Sequence, residues 1–149
     1  MDAIYRVDGN RVVTSPHAAG PWDPGMQHGS APASLVVWAA EAIATPVPMR
    51  IARVTIDLMR PVPVAPLTLE TEVLREGRKI QLCAIRLRAG DALVVGATVL
   101  KIKTQGLALP PEVADLPVEL PGPDQSRVEP ATFAQKRVAR SPARGTGNR

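Results

Sequence analysis

A chain of 149 residues has room for one domain of ordinary size, and its 45% hydrophobic and 21% charged residues are typical of a soluble globular protein. Two Trp, one Tyr and one Phe are too few for a base-stacking surface, and the single cysteine excludes an internal disulfide and a multi-cysteine zinc site. The net charge of +4 arises only after residue 120, because residues 1–120 carry 12 basic and 12 acidic side chains, so we expect no nucleic acid as a partner. We also expect no membrane, no metal and no cofactor.

The N-terminus lacks the apolar stretch of a signal peptide, since Asp2, Arg6 and Asp8 interrupt it, and we therefore expect a cytoplasmic protein. A hairpin is predicted next, with strands at residues 4–7 and 11–14. The residues between these strands, Asp-Gly-Asn, accept the positive φ of a tight turn. A loop rich in Gly and Pro follows the hairpin.

One helix is predicted after this loop, over residues 31–44. Ser30 has the side chain of an N-cap, a proline stands in the first turn where its missing N–H costs nothing, and Pro46 follows the end. The helix is apolar almost all round, which is typical of a helix buried on several sides. At about 14 residues it is too short to span a bilayer, which needs about 20.

Four strands are predicted after the helix, at about residues 50–60, 67–76, 79–89 and 92–103. The first of them alternates, and its apolar residues are expected to share one face: Ala52, Val54, Ile56 and Leu58. The turns between strands are short, which favours antiparallel hairpins. The predicted fold class is α+β, with one long central helix wrapped by a curled antiparallel sheet.

The composition changes near residue 106, after which proline is frequent and no apolar period is sustained. Proline removes backbone donors and favours extended backbone, and a polar, basic end cannot bury enough surface to become ordered. The sequence therefore predicts one domain over residues 1–106 and a Pro-rich linker with a basic disordered tail over residues 107–149.

Glu41 is the only formally charged residue between Asp23 and Arg50, and it lies in the apolar helix. A buried carboxylate there would have a raised pKa, which suits a general base. Alternatively, Glu41 lies one turn from the helix end and faces water. The sequence does not decide between these two interpretations.

His28 and Gly29 lead into the start of the helix. Backbone N–H groups at a helix start can polarise a carbonyl or hold an oxyanion, and a glycine lets a substrate approach the backbone closely. The alternative is that Gly29 belongs to a helix cap and that His28 is an ordinary loop histidine.

Basic side chains cluster at the turn that contains Arg78 and Lys79 and at the strand end that contains Lys101 and Lys103. Such cations can bind the phosphates of coenzyme A, although they are more often solvated surface. Cys83 lies in the middle of a predicted strand without a feature that lowers a thiol pKa, so a buried, inert thiol is expected.

Four motifs occur in one order: residues 20–29 with Trp22 and His28-Gly29, the apolar helix, residues 54–62 and the turn 75–79. Together they resemble the thioesterase-like hotdog superfamily, and in particular the N-terminal repeat of double-hotdog acyl-CoA thioesterases, over about residues 1–105. The resemblance implies a hotdog fold, acyl-CoA substrates and a homodimer formed through sheet edges. Trp22 and the basic turn are then the candidate substrate-binding residues.

The chain departs from these relatives at the catalytic positions. The enzymes that it resembles use a helix Asp, a Thr or Ser, and a Gln in their second repeat; here the helix acid matches Glu41, but the other two positions fall near Ile51 and Leu100. In single-hotdog relatives the helix carboxylate stands where this chain has Val37. The predicted function is an acyl-CoA thioesterase with Glu41, His28 and Gly29 as catalytic residues; the alternative is a non-catalytic module that binds acyl-CoA or an acyl carrier.

Overall fold

The computed structural model describes residues 3–108, 110 and 122–125. The chain divides into two units, Met1–Gln105 and Gly106–Arg149. The helix and strands that concern the site all belong to the first unit. The predicted linker and tail lie almost wholly outside the described residues, so their disorder stays a prediction.

One α-helix and six strands form the first unit. In chain order they are β1 (Tyr5–Asp8), β2 (Arg11–Thr14), α1 (Ser30–Ala42), β3 (Met49–Leu58), β4 (Leu67–Glu76), β5 (Ile80–Ala89) and β6 (Ala92–Lys103). Short 3-10 turns occupy Pro16–Ala18 and, in the second unit, Pro123–Gln125. The strands make one antiparallel sheet in the order β1-β2-β4-β5-β6-β3, so β1 and β3 are its two edges. The predicted α+β class is confirmed.

The core lies between α1 and the centre of the sheet. The helix buries Leu35, Val36, Ala39 and Ala40 against the inward side chains of β5 and β6, among which Ile85 is fully buried. Each buried Val, Leu or Ile contributes roughly 1.5–3 kcal/mol relative to leaving it in water. This packing fixes the position of the helix over the sheet.

The outer side of α1 is not covered, which corrects the expectation of a helix buried on several sides. Trp38 is 51% exposed and Ser34 and Glu41 are exposed as well, at positions that recur with the helical period. The side faces the edge strand β3, where no further strand lies among the described residues. Apolar composition alone did not show which side of the helix would lack a partner.

A β-bulge in β3 changes the side on which its residues lie. The register against β6 shifts between Ile51 and Arg53, so Ala52 is the additional residue. Ile51, Val54 and Ile56 pack against the core, whereas Ala52 is exposed. The prediction that Ala52 shares a face with Val54 is therefore wrong, because the bulge shifts the alternation by one residue.

The loop before α1 is held by Gln27. Its side-chain oxygen accepts a hydrogen bond from the Tyr5 hydroxyl, and its Nε2 donates to the carbonyl of Pro63 at 2.8 Å. Its backbone N–H donates to the carbonyl of Val62 at 2.8 Å. These bonds fix the turn that leads into the helix.

Among the described residues, no helix is both long enough and apolar enough to cross a membrane.

Candidate functional site

The start of α1 is built differently from the prediction. Gly29 is the N-cap residue and makes no side-chain cap bond, while Ser30 is already the first helical residue. The Ser30 hydroxyl lies 2.7 Å from Nδ1 of His28, and the Ser30 N–H donates to the same nitrogen at 3.3 Å. Because Nδ1 accepts, a neutral His28 ring carries its proton on Nε2. The prediction that Ser30 caps the helix is wrong. The ring of His28 instead accepts the hydrogen bond from the Ser30 N–H.

The first turn leaves one exposed backbone donor. The N–H of Ala31 donates to the carbonyl of His28 at 2.9 Å, the N–H of Ala33 donates to the carbonyl of Gly29 at 3.3 Å, and Pro32 has no N–H. The Gly29 N–H has no hydrogen-bond partner among the described residues, and Gly29 is exposed. A donor of this kind can bind a carbonyl oxygen or an oxyanion.

The conformation of Gly29 does not itself require glycine. Its φ of −57° is ordinary for any residue. A Cβ at this position would meet only the Leu58 side chain, at 3.7 Å, which is normal van der Waals contact. The absence of a side chain therefore leaves the N–H open to approach rather than relieving strain.

Trp22 stacks on His28 beside this donor. The two ring centroids are 6.0 Å apart with an interplanar angle of 9°, and Trp22 is 75% exposed. The indole thus presents an apolar face to solvent at the N-terminal end of α1.

Glu41 lies at the other end of the helix. It is exposed, so in the single chain its carboxylate is hydrated, which is the second of the two interpretations given for it. Twelve residues separate it from Gly29, and at 1.5 Å per residue this is about 18 Å along the helix axis. A single chain therefore does not bring Glu41 to the His28-Gly29 donor.

The basic residues belong to the Glu41 end. Arg78 and Lys79 are exposed in the turn between β4 and β5. The carbonyl of Lys79 accepts the N–H of Lys103 at 2.8 Å, which joins this turn to the end of β6. The predicted site residues thus form two groups, Trp22, His28 and Gly29 at one end of α1 and Glu41, Arg78 and Lys79 at the other.

A groove of about 700 Å³ connects the two ends. It runs between α1 and β3 and is lined from Ser30 at one end to Glu41 at the other, with Val37, Trp38 and Val54 between them. The lining is mostly apolar, which suits an acyl chain or the partner of a free sheet edge. The groove is open to solvent, and β3, which forms one of its walls, is an edge of the sheet.

A second cavity, of about 510 Å³, lies at the C-terminal end of α1. Glu41 lines this cavity as well as the groove, and Thr45, Arg50, Lys101 and Thr104 are among its other lining residues. Its polar and charged lining distinguishes it from the groove. Glu41 therefore stands where an apolar space and a charged space meet.

Two polar residues are buried under the helix end: Gln81 was not predicted as a site residue, and Lys101 was predicted only as a member of the basic cluster. Gln81 is fully buried and donates from Nε2 to the carbonyl of Ala44 at 2.8 Å, and Lys101 is 3% exposed and donates from Nζ to the carbonyl of Ile43 at 2.8 Å. The signal was available, because both residues continue the inward alternation of their strands. Cys83 is buried as predicted, and burial raises the pKa of its thiol against a smaller lowering by Lys101.

Comparison with known proteins identifies the family and the fold. Residues 18–102 match the family model described as acyl-CoA thioesterase N-terminal domain. A conserved hot dog-fold protein from Alicyclobacillus acidocaldarius is 19% identical with a TM-score of 0.64, covering 89% of this chain and 50% of that one. The PaaI protein of the E. coli phenylacetic acid degradation operon is 17% identical with a TM-score of 0.57, covering 64% and 71%.

A Streptococcus mutans protein bound to acetyl-CoA is 15% identical with a TM-score of 0.56, covering 63% of this chain and 79% of that one. No curated protein matches the chain in sequence. These structural likenesses show the hotdog fold, and the resemblance inferred from the sequence motifs is confirmed. The chain belongs to the acyl-CoA thioesterase N-terminal domain family, within the thioesterase-like hotdog superfamily.

Proposed function

We propose that this protein binds acyl-CoA and hydrolyses the thioester bond as a homodimer in which each site takes residues from both chains. The observation that carries the proposal is that Gly29 and Glu41 lie at opposite ends of α1, about 18 Å apart in rise along the helix axis. An open groove joins the two ends and lies beside a free sheet edge. A second chain on that edge supplies what one chain lacks.

The dimer follows from pairing two β3 edges about a twofold axis. An uncovered edge strand presents unpaired backbone groups, and half-exposed Trp38, Leu58 and Met59 lie on or near this edge. Antiparallel pairing of the two β3 strands makes the two α1 helices antiparallel. Gly29 then faces the partner subunit's Glu41, and we take the sheets to curl around the helices so that the groove closes.

The chemistry uses one donor and one base. The Gly29 N–H donates to the thioester carbonyl oxygen, and the partner subunit's Glu41 takes a proton from a water that attacks the carbonyl carbon. The C–S bond then breaks, the thiolate of coenzyme A leaves and takes up the proton, and the carboxylic acid is released. His28 is a positioning residue, since its ring and carbonyl hold the turn that presents the Gly29 N–H.

Binding uses the groove and the exposed residues at its ends. The apolar groove takes the acyl chain, Trp22 offers an apolar face to the ligand, and the cations Arg78 and Lys79 bind phosphate groups of coenzyme A. With antiparallel helices, the Trp22 end of one chain and the basic end of its partner lie at the same site. No metal or cofactor takes part in this reaction.

A second candidate is a module that binds acyl-CoA or an acyl carrier without hydrolysis. It is favoured by Ile51 and Leu100, the apolar residues at the two other catalytic positions of double-hotdog relatives, and by the packing of Ile51 against the core. Release of coenzyme A thiol from a panel of acyl-CoA thioesters, measured with purified full-length protein, separates the two functions. Turnover supports the enzyme, and saturable binding of the same thioesters without turnover supports the module.

A further inference from the structure

The cavity at the C-terminal end of α1 contains a buried cation that the mechanism above does not use. Lys101 is 3% exposed and lies on β6 opposite Ile51. Its Nζ donates to the carbonyl of Ile43 at 2.8 Å, and no carboxylate oxygen of the described residues lies within salt-bridge distance of it. An ammonium group has three N–H donors, so two of them are available to a ligand in the cavity.

A hydrogen bond to a carbonyl at the C-terminal end of α1 does not require a charged residue. The adjacent carbonyl, that of Ala44, is bound by the neutral side chain of Gln81 on the neighbouring strand, directly opposite Lys101. The attraction between a cation and a helix C-terminus is several-fold smaller than the cost of burying an unpaired ammonium. The Glu76 carboxylate on β4 is bound by Gln81 Nε2 at 2.9 Å and makes no ion pair with Lys101 among the described residues. A second amide would satisfy the Ile43 carbonyl at lower cost, so the positive charge has room for a further partner.

The rest of the cavity indicates what that partner is. Arg50 adds a second cation, Thr45 adds a hydroxyl group, and Glu41 is the one acidic residue among the lining residues described. The Thr104 hydroxyl also lies in the lining but donates to the carbonyl of Pro48 at 3.2 Å. The lining charges therefore sum to +1. A small anionic group with oxygen acceptors fits this combination of two cations and the Thr45 hydroxyl.

We propose that this cavity is an anion subsite for the acyl group, and that the preferred substrates are thioesters of dicarboxylic acids whose terminal carboxylate pairs with Lys101. The inference rests on the proposed function, because it takes Glu41 to act at the thioester. Glu41 acts at the thioester carbon in the proposed reaction, and it also lines this cavity. An anion in the cavity is therefore separated from the reacting carbon by only a few atoms of the acyl chain. A terminal carboxylate on a short acyl chain meets this condition, whereas the pantetheine arm holds the phosphates of coenzyme A far from the thioester.

The test compares two non-hydrolysable thioether analogues of acyl-CoA with four-carbon chains, one ending in a carboxylate and one in a methyl group. Calorimetric titration of the full chain is expected to give about tenfold or more tighter binding of the carboxylate analogue, the size of one charge-assisted hydrogen bond. Lys101→Met should remove this preference and leave binding of the methyl-ended analogue within a few-fold. Gln81→Met removes the neighbouring helix-end bond without removing a charge and should keep the preference.

Folding of the variants is checked by thermal unfolding. Lys101→Met removes a buried charge that has no ion pair and also removes its bond to the Ile43 carbonyl. These two effects oppose each other, so the melting temperature should change little. If Lys101→Met nevertheless fails to fold, Arg50→Gln decides, because Arg50 is exposed and its loss should weaken the carboxylate preference several-fold while the fold persists.

Equal affinity of the wild type for the two analogues, or a preference that survives Lys101→Met, would overturn the subsite. The cavity could instead bind a phosphate of coenzyme A. In that case dephospho-coenzyme A would bind more weakly than coenzyme A, the difference would depend on Lys101, and there would be no preference for the carboxylate analogue. This result would overturn the dicarboxylic acid assignment. If neither analogue binds, the proposed function fails. Titration with glutarate alone then tests the subsite separately: binding that requires Lys101 supports it, and no binding overturns it.

Discussion

A mixture of two inactive variants is expected to recover activity if Gly29 and Glu41 act across a dimer. Gly29→Pro removes the N–H donor while its backbone stays compatible, because the φ of −57° at this position is close to the value that proline imposes. Glu41→Gln keeps the size of the side chain but cannot accept a proton from water. Glu41 is exposed, so Glu41→Gln should alter stability by less than about 0.5 kcal/mol. Gly29→Pro also restricts the unfolded chain and should change stability by about 1 kcal/mol or less.

The expected rates follow from the roles of the two groups. Loss of one oxyanion donor typically lowers the rate about 10²- to 10³-fold, and loss of a general base about 10²- to 10⁴-fold. Half of the dimers in an equal mixture pair one variant with the other. Each such dimer contains one site with both groups intact and one with neither, so the unfractionated mixture should show about a quarter of the wild-type rate and the purified mixed dimer about half.

The assay measures thiol release after the two variants are co-expressed with different tags and the mixed dimers are purified. As a matched control, a chain that carries both substitutions is paired with a wild-type chain. That dimer should be inactive if the site is shared, because each site then lacks one group. Mixed dimers of the single variants that are no faster than their parents, together with a half-active control dimer, would show that both groups act within one chain.

Three further outcomes are expected. Sedimentation at micromolar concentration should show a dimer, and a monomer alone would contradict the edge-pairing argument. Gln27→Ala should lower the free energy of unfolding by about 1–3 kcal/mol in urea titrations, because it removes the Tyr5 and Pro63 bonds; an unchanged midpoint would show that the loop is held by other contacts. Burial raises the pKa of both Tyr5 and Cys83, so these groups ionise more readily in the unfolded chain than in the folded one. The free energy of unfolding should therefore fall as the pH rises above about 9. This decline should be shallower in Tyr5→Phe and in Cys83→Ala.

Element types were predictable because they depend on local pattern, whereas their exact packing was not. Alternation and turn residues located the hairpin and the later strands, but a period of two residues cannot reveal the bulge at Ala52, which depends on the partner strand. The helix was predicted from its apolar run, yet Trp38 is half exposed because burial depends on what packs against each side.

The candidate site shows the same division. The separation of Gly29 and Glu41 follows from helix geometry once the helix is accepted, so the sequence already contained it. The sequence did not predict that the His28 ring would accept the Ser30 N–H at the helix start, since a serine before a helix usually is the cap itself. Lys101 was named as part of a basic cluster, and its burial could have been predicted by extending the inward alternation of its strand.

The hydrogen bonds of Gln27 also set an order of events during folding. Its partners Tyr5 and Pro63 lie 22 and 36 residues away in sequence, so neither bond forms from local chain segments alone. A nascent chain cannot complete the turn at Gly29 until the segment containing Pro63 has been synthesised and has left the ribosome. Closing such long loops is slow and is rewarded only after the sheet has assembled. The N-terminal end of α1 should therefore acquire its final geometry late, after the strands that support it.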